Sequence, residues 1–263
     1  MTTVERAKQA LWKKSGLPHD GKGYVKDAQA NLVQGVTTEM IKGDYDKGSG
    51  REWRSKIRAI HSSAALAANT FGPWRRDPSQ LTFCGASGFN QLRFEAQCPT
   101  GLEGTPPNLD VLLQSEETVF GIESKLLEPL TPTAPCFAES YSRARLPRCE
   151  DVWWSLLERV RHSPPSHLDA AQLIKHYLGL RSKFPDGMKV FLVYLFWKPL
   201  NAGSIDEYSR HADDLERFRA SVEGATGVRF MSMDYLQLWD SWEKDKNMAE
   251  HARLLKNRYC VEI

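Results

Sequence analysis

The sequence predicts an α/β fold in which a central mixed sheet is flanked by helices, and three observations carry that expectation. Runs at 92–98, 108–114 and 119–126 have strand-like character, the first by strict apolar–polar alternation. The apolar run Val190 to Trp197 is long enough and β-rich enough for a strand buried on both faces. Helical patterns precede and separate these runs, giving the order helix, three strands, helix, strand around one continuous core. A chain of 263 residues with 41% hydrophobic and 26% charged residues suits one domain and excludes a disordered or fibrous protein.

Residues 1–48 are mixed and basic and read as a helical or loop-rich N-terminal extension. Ser49-Gly50-Arg51-Glu52 has the capping-box pattern, and Trp53, Ile57, Ile60, Ala64 and Ala67 follow at helical spacing, so a helix is expected over about 50–70. Phe71-Gly72-Pro73-Trp74 stops it. Leu81 to Cys84 is a candidate strand before the three runs. Pro129 to Pro135 opens an excursion over 127–165 that holds a helix with Trp153, Trp154, Leu157 and Val160. Asp169 to Leu178 is amphipathic, with Ala170, Leu173, Ile174, Tyr177 and Leu178 as its apolar stripe. Pro185-Asp186-Gly187 turns into the 190–197 strand. A helix over about 205–222, a strand from Val228 to Met231 and a C-terminal helix complete the chain. The expected organisation is a single domain with its core at 49–197, an insertion at 127–165, and C-terminal helices and a strand at 198–263.

Several classes are excluded. No apolar run approaches the ~20 residues of a membrane span. The start, Met-Thr-Thr-Val-Glu-Arg-Ala-Lys, lacks the apolar core of a signal peptide, so a soluble, cytoplasmic protein is expected. The five cysteines, odd in number and without a CxxC pair, argue against a disulfide framework or a structural zinc site. Lys and Arg total 35 against 33 Asp and Glu, a net +2 that does not suit a polybasic nucleic-acid binder. That balance sums +5 over residues 1–60 and −3 over the rest. An acidic metal centre lowers the total without preventing phosphate binding, because a bound cation reverses the local sign.

The stretch 107–125 carries the chemistry. Glu123 and Lys125, two apart on a strand, share a face. With Glu116-Glu117 as a two-residue hairpin turn, Asp110 falls opposite Glu123, with Cβ atoms roughly 4.5–5.5 Å apart. Two such carboxylates repel unless one is protonated or a cation sits between them. Mg²⁺, an oxygen-seeking ion content with one or two protein carboxylates, resolves the conflict. A one-residue slip would send Asp110 to the opposite face. The other reading of the triplet is a surface salt bridge; the apolar neighbours Leu112, Leu113, Phe120 and Ile122 weigh against it.

Asp110 followed by Glu123-Ser124-Lys125 resembles the signature of the PD-(D/E)XK nuclease superfamily, the restriction-endonuclease-like fold, whose core has the same element order. The resemblance covers about residues 49–197. It implies a Mg²⁺-dependent phosphodiester hydrolase, most often a deoxyribonuclease, with Mn²⁺ able to substitute. Asp110, Glu123 and the Ser124 carbonyl would be the metal ligands, and Lys125 would assist the attacking water. Members often add an acid on the first helix, here Glu52, which reads equally as part of the Ser49 cap. Exonuclease-like branches carry a Gln on the helix after the Glu-x-Lys strand, here Gln172. Gln172 and Lys175 are read as phosphate or water contacts, and His176, on the same polar face, as solvated.

Arg143, Arg145 and Arg148, with Arg159 and Arg161, make the insertion the expected nucleic-acid contact. Glu95 reads either as an acid supporting the pair or as an edge residue. His211-Ala212-Asp213-Asp214 reads as a solvated helix face, and Trp153-Trp154 as packing or a lid. A homodimer is open, since nucleases cutting both strands often pair. The rival to a nuclease is a catalytically inactive nuclease-fold module that binds nucleic acid or a protein partner; the presence of acid, acid and lysine together favours the enzyme.

Overall fold

The computed structural model describes residues 1–47, 53 and 56–263. Its centre is a hairpin of β2 (Asn108–Gln114) and β3 (Thr118–Lys125), paired from Val111 with Ile122 to Gln114 with Val119. Continued outward, this register sets Asp110 opposite Glu123, as the two-residue turn predicts. Glu116-Glu117 stand at the centre of the turn where Gly or Asn would be usual, and Ser115 closes it. Its N–H donates to the Thr118 carbonyl (2.8 Å), and its Oγ accepts the Thr118 N–H (3.1 Å).

Strand β1 (Gln91–Gln97) is antiparallel to β2, while β4 (Lys189–Phe196) and β5 (Arg229–Asp234) add in parallel beyond β3. The order is therefore β1-β2-β3-β4-β5. Parallel neighbours need crossovers. These are α5 (Ala170–Lys183), following α4 (Asp151–Arg161) in the insertion, and α6 (Asp206–Ser221). Pleat alternation divides the apolar residues into two cores. Phe120, Ile122, Val193 and Leu195 meet α1 (Thr3–Ser15), α2 (Thr38–Lys47), α3 (Ser63–Phe71), α7 (Tyr235–Trp242) and α8 (Ala249–Tyr259). Leu112, Val119, Leu192 and Tyr194 meet α4, α5 and α6. Among the described residues no helix is long and apolar enough to cross a membrane.

Helix α5 is seated closely on the sheet. A Cβ at Gly179 would lie 2.2 Å from the Cys98 carbonyl oxygen, so only glycine lets the helix come this near. Tyr177 stacks on Trp153 at 4.0 Å, and its hydroxyl accepts the Glu150 N–H at 2.8 Å. Together these fix the height and roll of α5.

Four expectations are corrected. The helix over 50–70 is absent where the chain is described: Lys56–Arg58 is one 3₁₀ turn, and α3 begins only after its cap Ser62. Ile57 and Ile60 are buried from an irregular segment whose backbone bonds to residues 23–25, through Val25 N–H to the Arg58 carbonyl and Ile60 N–H to the Gly23 carbonyl. Those partners replace the helical ladder. The Ser49 cap and Glu52 lie outside the described residues. Leu81 to Cys84 is a tight turn, with Phe83 bridged to Ala86 across Cys84 and Gly85, both at positive φ. The C-terminal helix is two, α7 and α8. His211 is buried on the hydroxyl of Tyr194 (2.9 Å) and not solvated. The first 47 residues are built into the core: α1 packs on α8 through Ala7 and Leu11, and α2 on β1 through Ile41 and Tyr45.

Candidate active site

The site forms at the end of the central hairpin, under the first turns of α5. Alternation along β3 sends Glu123 and Lys125 toward α5 and Ser124 the other way. The Ser124 hydroxyl lies 2.6 Å from that of Tyr235 and donates to the Ser63 carbonyl (3.3 Å), tying β3 to α7 and α3. Glu128 adds a second tie: its carboxylate accepts the Leu126 N–H and the Ser63 hydroxyl. The strand end is thus anchored from behind.

On the α5 side, Lys125 Nζ donates to Glu123 Oε1 (2.5 Å) and to Gln172 Oε1 (2.7 Å). Gln172 sits in the first turn of α5, where its backbone N–H is capped by Asp169 (2.9 Å). One turn on, His176 Nε2 lies 2.8 Å from Glu123 Oε2. Both side chains are almost fully buried, and His176 Nδ1 has no hydrogen-bond partner among the described residues. Asp110 reaches in from β2, and its Oδ2 accepts the Ser124 N–H at 2.7 Å.

The neighbouring strands are interrupted here. Phe94 and Ala96, two apart on β1, belong to opposite cores, as do Val111 and Leu109 on β2. A regular pleat would keep each pair on one face. Both reversals fall at Glu95 and Asp110, and Glu95 has a left-handed φ of 48°. That conformation costs a non-glycine residue about 1–3 kcal/mol and tends to cluster at functional sites. Asn108 donates to the Glu95 carboxylate (3.3 Å).

The charges are uneven. Burial first, then Glu123 and Glu95, push the Asp110 carboxyl well above the usual range, against the pull of Lys125. Burial would raise Glu123 too, but Lys125 and His176 outweigh it and hold it at about 2. Lys125 is raised despite its burial, by Glu123, Glu128 and Asp110. One ammonium thus faces an excess of carboxylates, and a cation would relieve it. Among the described residues no three His, Cys, Asp or Glu side chains form a complete metal cage. Mg²⁺ needs none, because it keeps several waters. Asp110, Glu123 and the Ser124 carbonyl could hold it.

The structure therefore brings together Asp110, Glu123, Ser124, Lys125 and Gln172, with Lys175 beside them. Lys175 lines a groove with Asn108, Thr133, Cys136, Gln172 and His176, its Nζ 5.6 Å from the Phe137 ring. Arg143, Arg145 and Arg148 are elsewhere. Arg148 donates to the Ser182 (3.3 Å) and Phe184 (3.1 Å) carbonyls at the far end of α5, roughly 15 Å along the helix from Gln172. Arg143 holds the Cys149 carbonyl and Asp151. The Arg145 side chain makes no hydrogen bond or ion pair among the described residues and lines a small cavity with Arg148 and Arg181. His176 is the residue the sequence reading set aside. Its signal was the four-residue spacing from Gln172, which puts both on one face of α5.

A five-stranded mixed sheet flanked by helices gives the chain a restriction-endonuclease-like fold. The chain belongs to the family described as Restriction Endonuclease associating with ARP, whose model matches residues 6–260. No curated protein and no solved structure matches it.

Proposed function

We propose that this chain is a Mg²⁺-dependent nuclease that hydrolyses phosphodiester bonds of DNA. The observation that carries the reading is the convergence of Asp110, Glu123 and Lys125 beneath Gln172. Asp110 and Glu123 would hold the ion, and Mn²⁺ would fit the same oxygens. A bound divalent ion supplies acidified water and charge neutralisation at phosphorus. Lys125 is held from two sides, so its ammonium keeps one position and can donate to the attacking water or a phosphate oxygen without reorganising. Lys175 stands in the adjoining groove, where a backbone phosphate would meet an unpaired ammonium.

The test is cleavage of supercoiled plasmid with Mg²⁺ or Mn²⁺, compared with EDTA, Asp110→Ala and Lys125→Ala. We expect cutting only with metal, and each substitution to reduce it by at least about 10²–10³-fold. A wild-type chain that leaves every DNA and RNA substrate intact with metal overturns the proposal. DNA binding retained in that case would point to a non-catalytic module on the same fold.

A further inference from the structure

His176 Nε2 lies 2.8 Å from Glu123 Oε2, with both side chains almost fully buried. Buried polar groups are costly to leave unpaired, so each keeps the other as its partner. The contact falls on an acid proposed to hold the metal. We propose that His176 is a positioning residue: its imidazole braces Glu123 Oε2 and thereby sets the orientation in which the Glu123 carboxylate meets the metal. The inference rests on the metal-dependent nuclease reading.

The geometry supports a brace. Gln172 and His176 stand one turn apart on the same face of α5 and reach two neighbouring groups of one strand, Gln172 on Lys125 and His176 on Glu123. Oε1 of Glu123 is taken by Lys125, so contact at Oε2 fixes the remaining rotation of the carboxylate. The brace cannot drift, because the next residue, Tyr177, is stacked on Trp153, and Gly179 holds the helix against the Cys98 carbonyl. His176 is 1% exposed, so water does not compete for the contact.

The experiment measures Mn²⁺ affinity of the full chain from the free-ion electron paramagnetic resonance signal, together with kcat and KM for plasmid cleavage. His176→Leu removes both nitrogens at similar volume, and His176→Gln keeps a donor; His176→Met replaces the leucine variant if that one does not fold. We expect the leucine variant to lose on the order of 10–100-fold in Mn²⁺ affinity and in kcat. KM for DNA should stay within about twofold, because the brace does not touch substrate. The glutamine variant should recover most of both losses, which a purely structural role would not produce. Wild-type affinity in His176→Leu overturns the brace, as does equal impairment of Leu and Gln. Nitrogen hyperfine coupling on bound Mn²⁺ that disappears in His176→Gln makes His176 a ligand and also overturns it. A wild type that binds Mn²⁺ with the expected His176 dependence but cuts nothing overturns the nuclease reading and supports the brace. A wild type that binds no Mn²⁺ overturns both.

Discussion

The two ends of α5 each carry a charge cluster, and they use their charges differently. At the N-terminal end, Lys125, Glu123 and Asp110 face one another in a partly sealed space, with more carboxylates than ammonium groups. At the C-terminal end, Arg148 and Arg181 converge on Asp186, and Arg148 also closes the Ser182 and Phe184 carbonyls, orphan acceptors of a helix terminus. The first cluster has an excess of carboxylates, and the second has its donors spent on internal partners. Cationic residues count toward a ligand only after their internal partners are subtracted. By that accounting Lys175 and Arg145 are available, while Arg143 and Arg148 are committed.

Substitutions along α5 should separate the two ends. The largest effect is expected at Gly179, the close contact between them: Gly179→Val drives a side chain into the Cys98 carbonyl and should cost about 3 kcal/mol in denaturant unfolding. Cleavage should fall with it, since a shift of about 1 Å in α5 misplaces Gln172 and can cost about 10²-fold. Unchanged stability would mean that α5 does not depend on this close seat. Gln172→Leu should lower kcat about 10–100-fold with the unfolding midpoint unmoved, because it frees Lys125 on one side only; equal kcat would show that Glu123 alone holds the lysine. The smallest effect is at the other end. Arg148→Met should cost about 1 kcal/mol through the lost helix-terminal bonds while leaving cleavage and its salt dependence unaltered. A weaker salt dependence would place Arg148 on the nucleic acid and break the contrast.

What the sequence disclosed follows the range of the interactions involved. The β2–β3 register from Val111 to Gln114 was legible because a two-residue turn leaves one pairing, whereas the break in the β2 pleat at Asp110 was not; Gln172 was legible from its place in the first turn of an amphipathic helix. The helix over 50–70 was misread because Ile57 and Ile60 satisfy a 3.6-residue period while being buried from a segment that bonds to residues 23–25. Periodicity records burial, not backbone partners. Arg143 and Arg148 spend donors on the carbonyls of Cys149, Ser182 and Phe184, which any residue supplies and no side-chain pattern reveals. His176 was read as solvated because a polar helix face looks the same whether it meets water or a buried carboxylate.

The left-handed backbone at Glu95 has one more consequence. Glycine would take that conformation with less strain, so a search for stabilising substitutions by backbone preference alone would favour Glu95→Gly. The carboxylate there helps to push the Asp110 carboxyl above its usual range, after burial and Glu123. Position 95 is therefore a place where stability and the site's electric field pull in opposite directions, and a variant selected only for heat resistance would be drawn toward a chain with a sounder sheet and an altered acid.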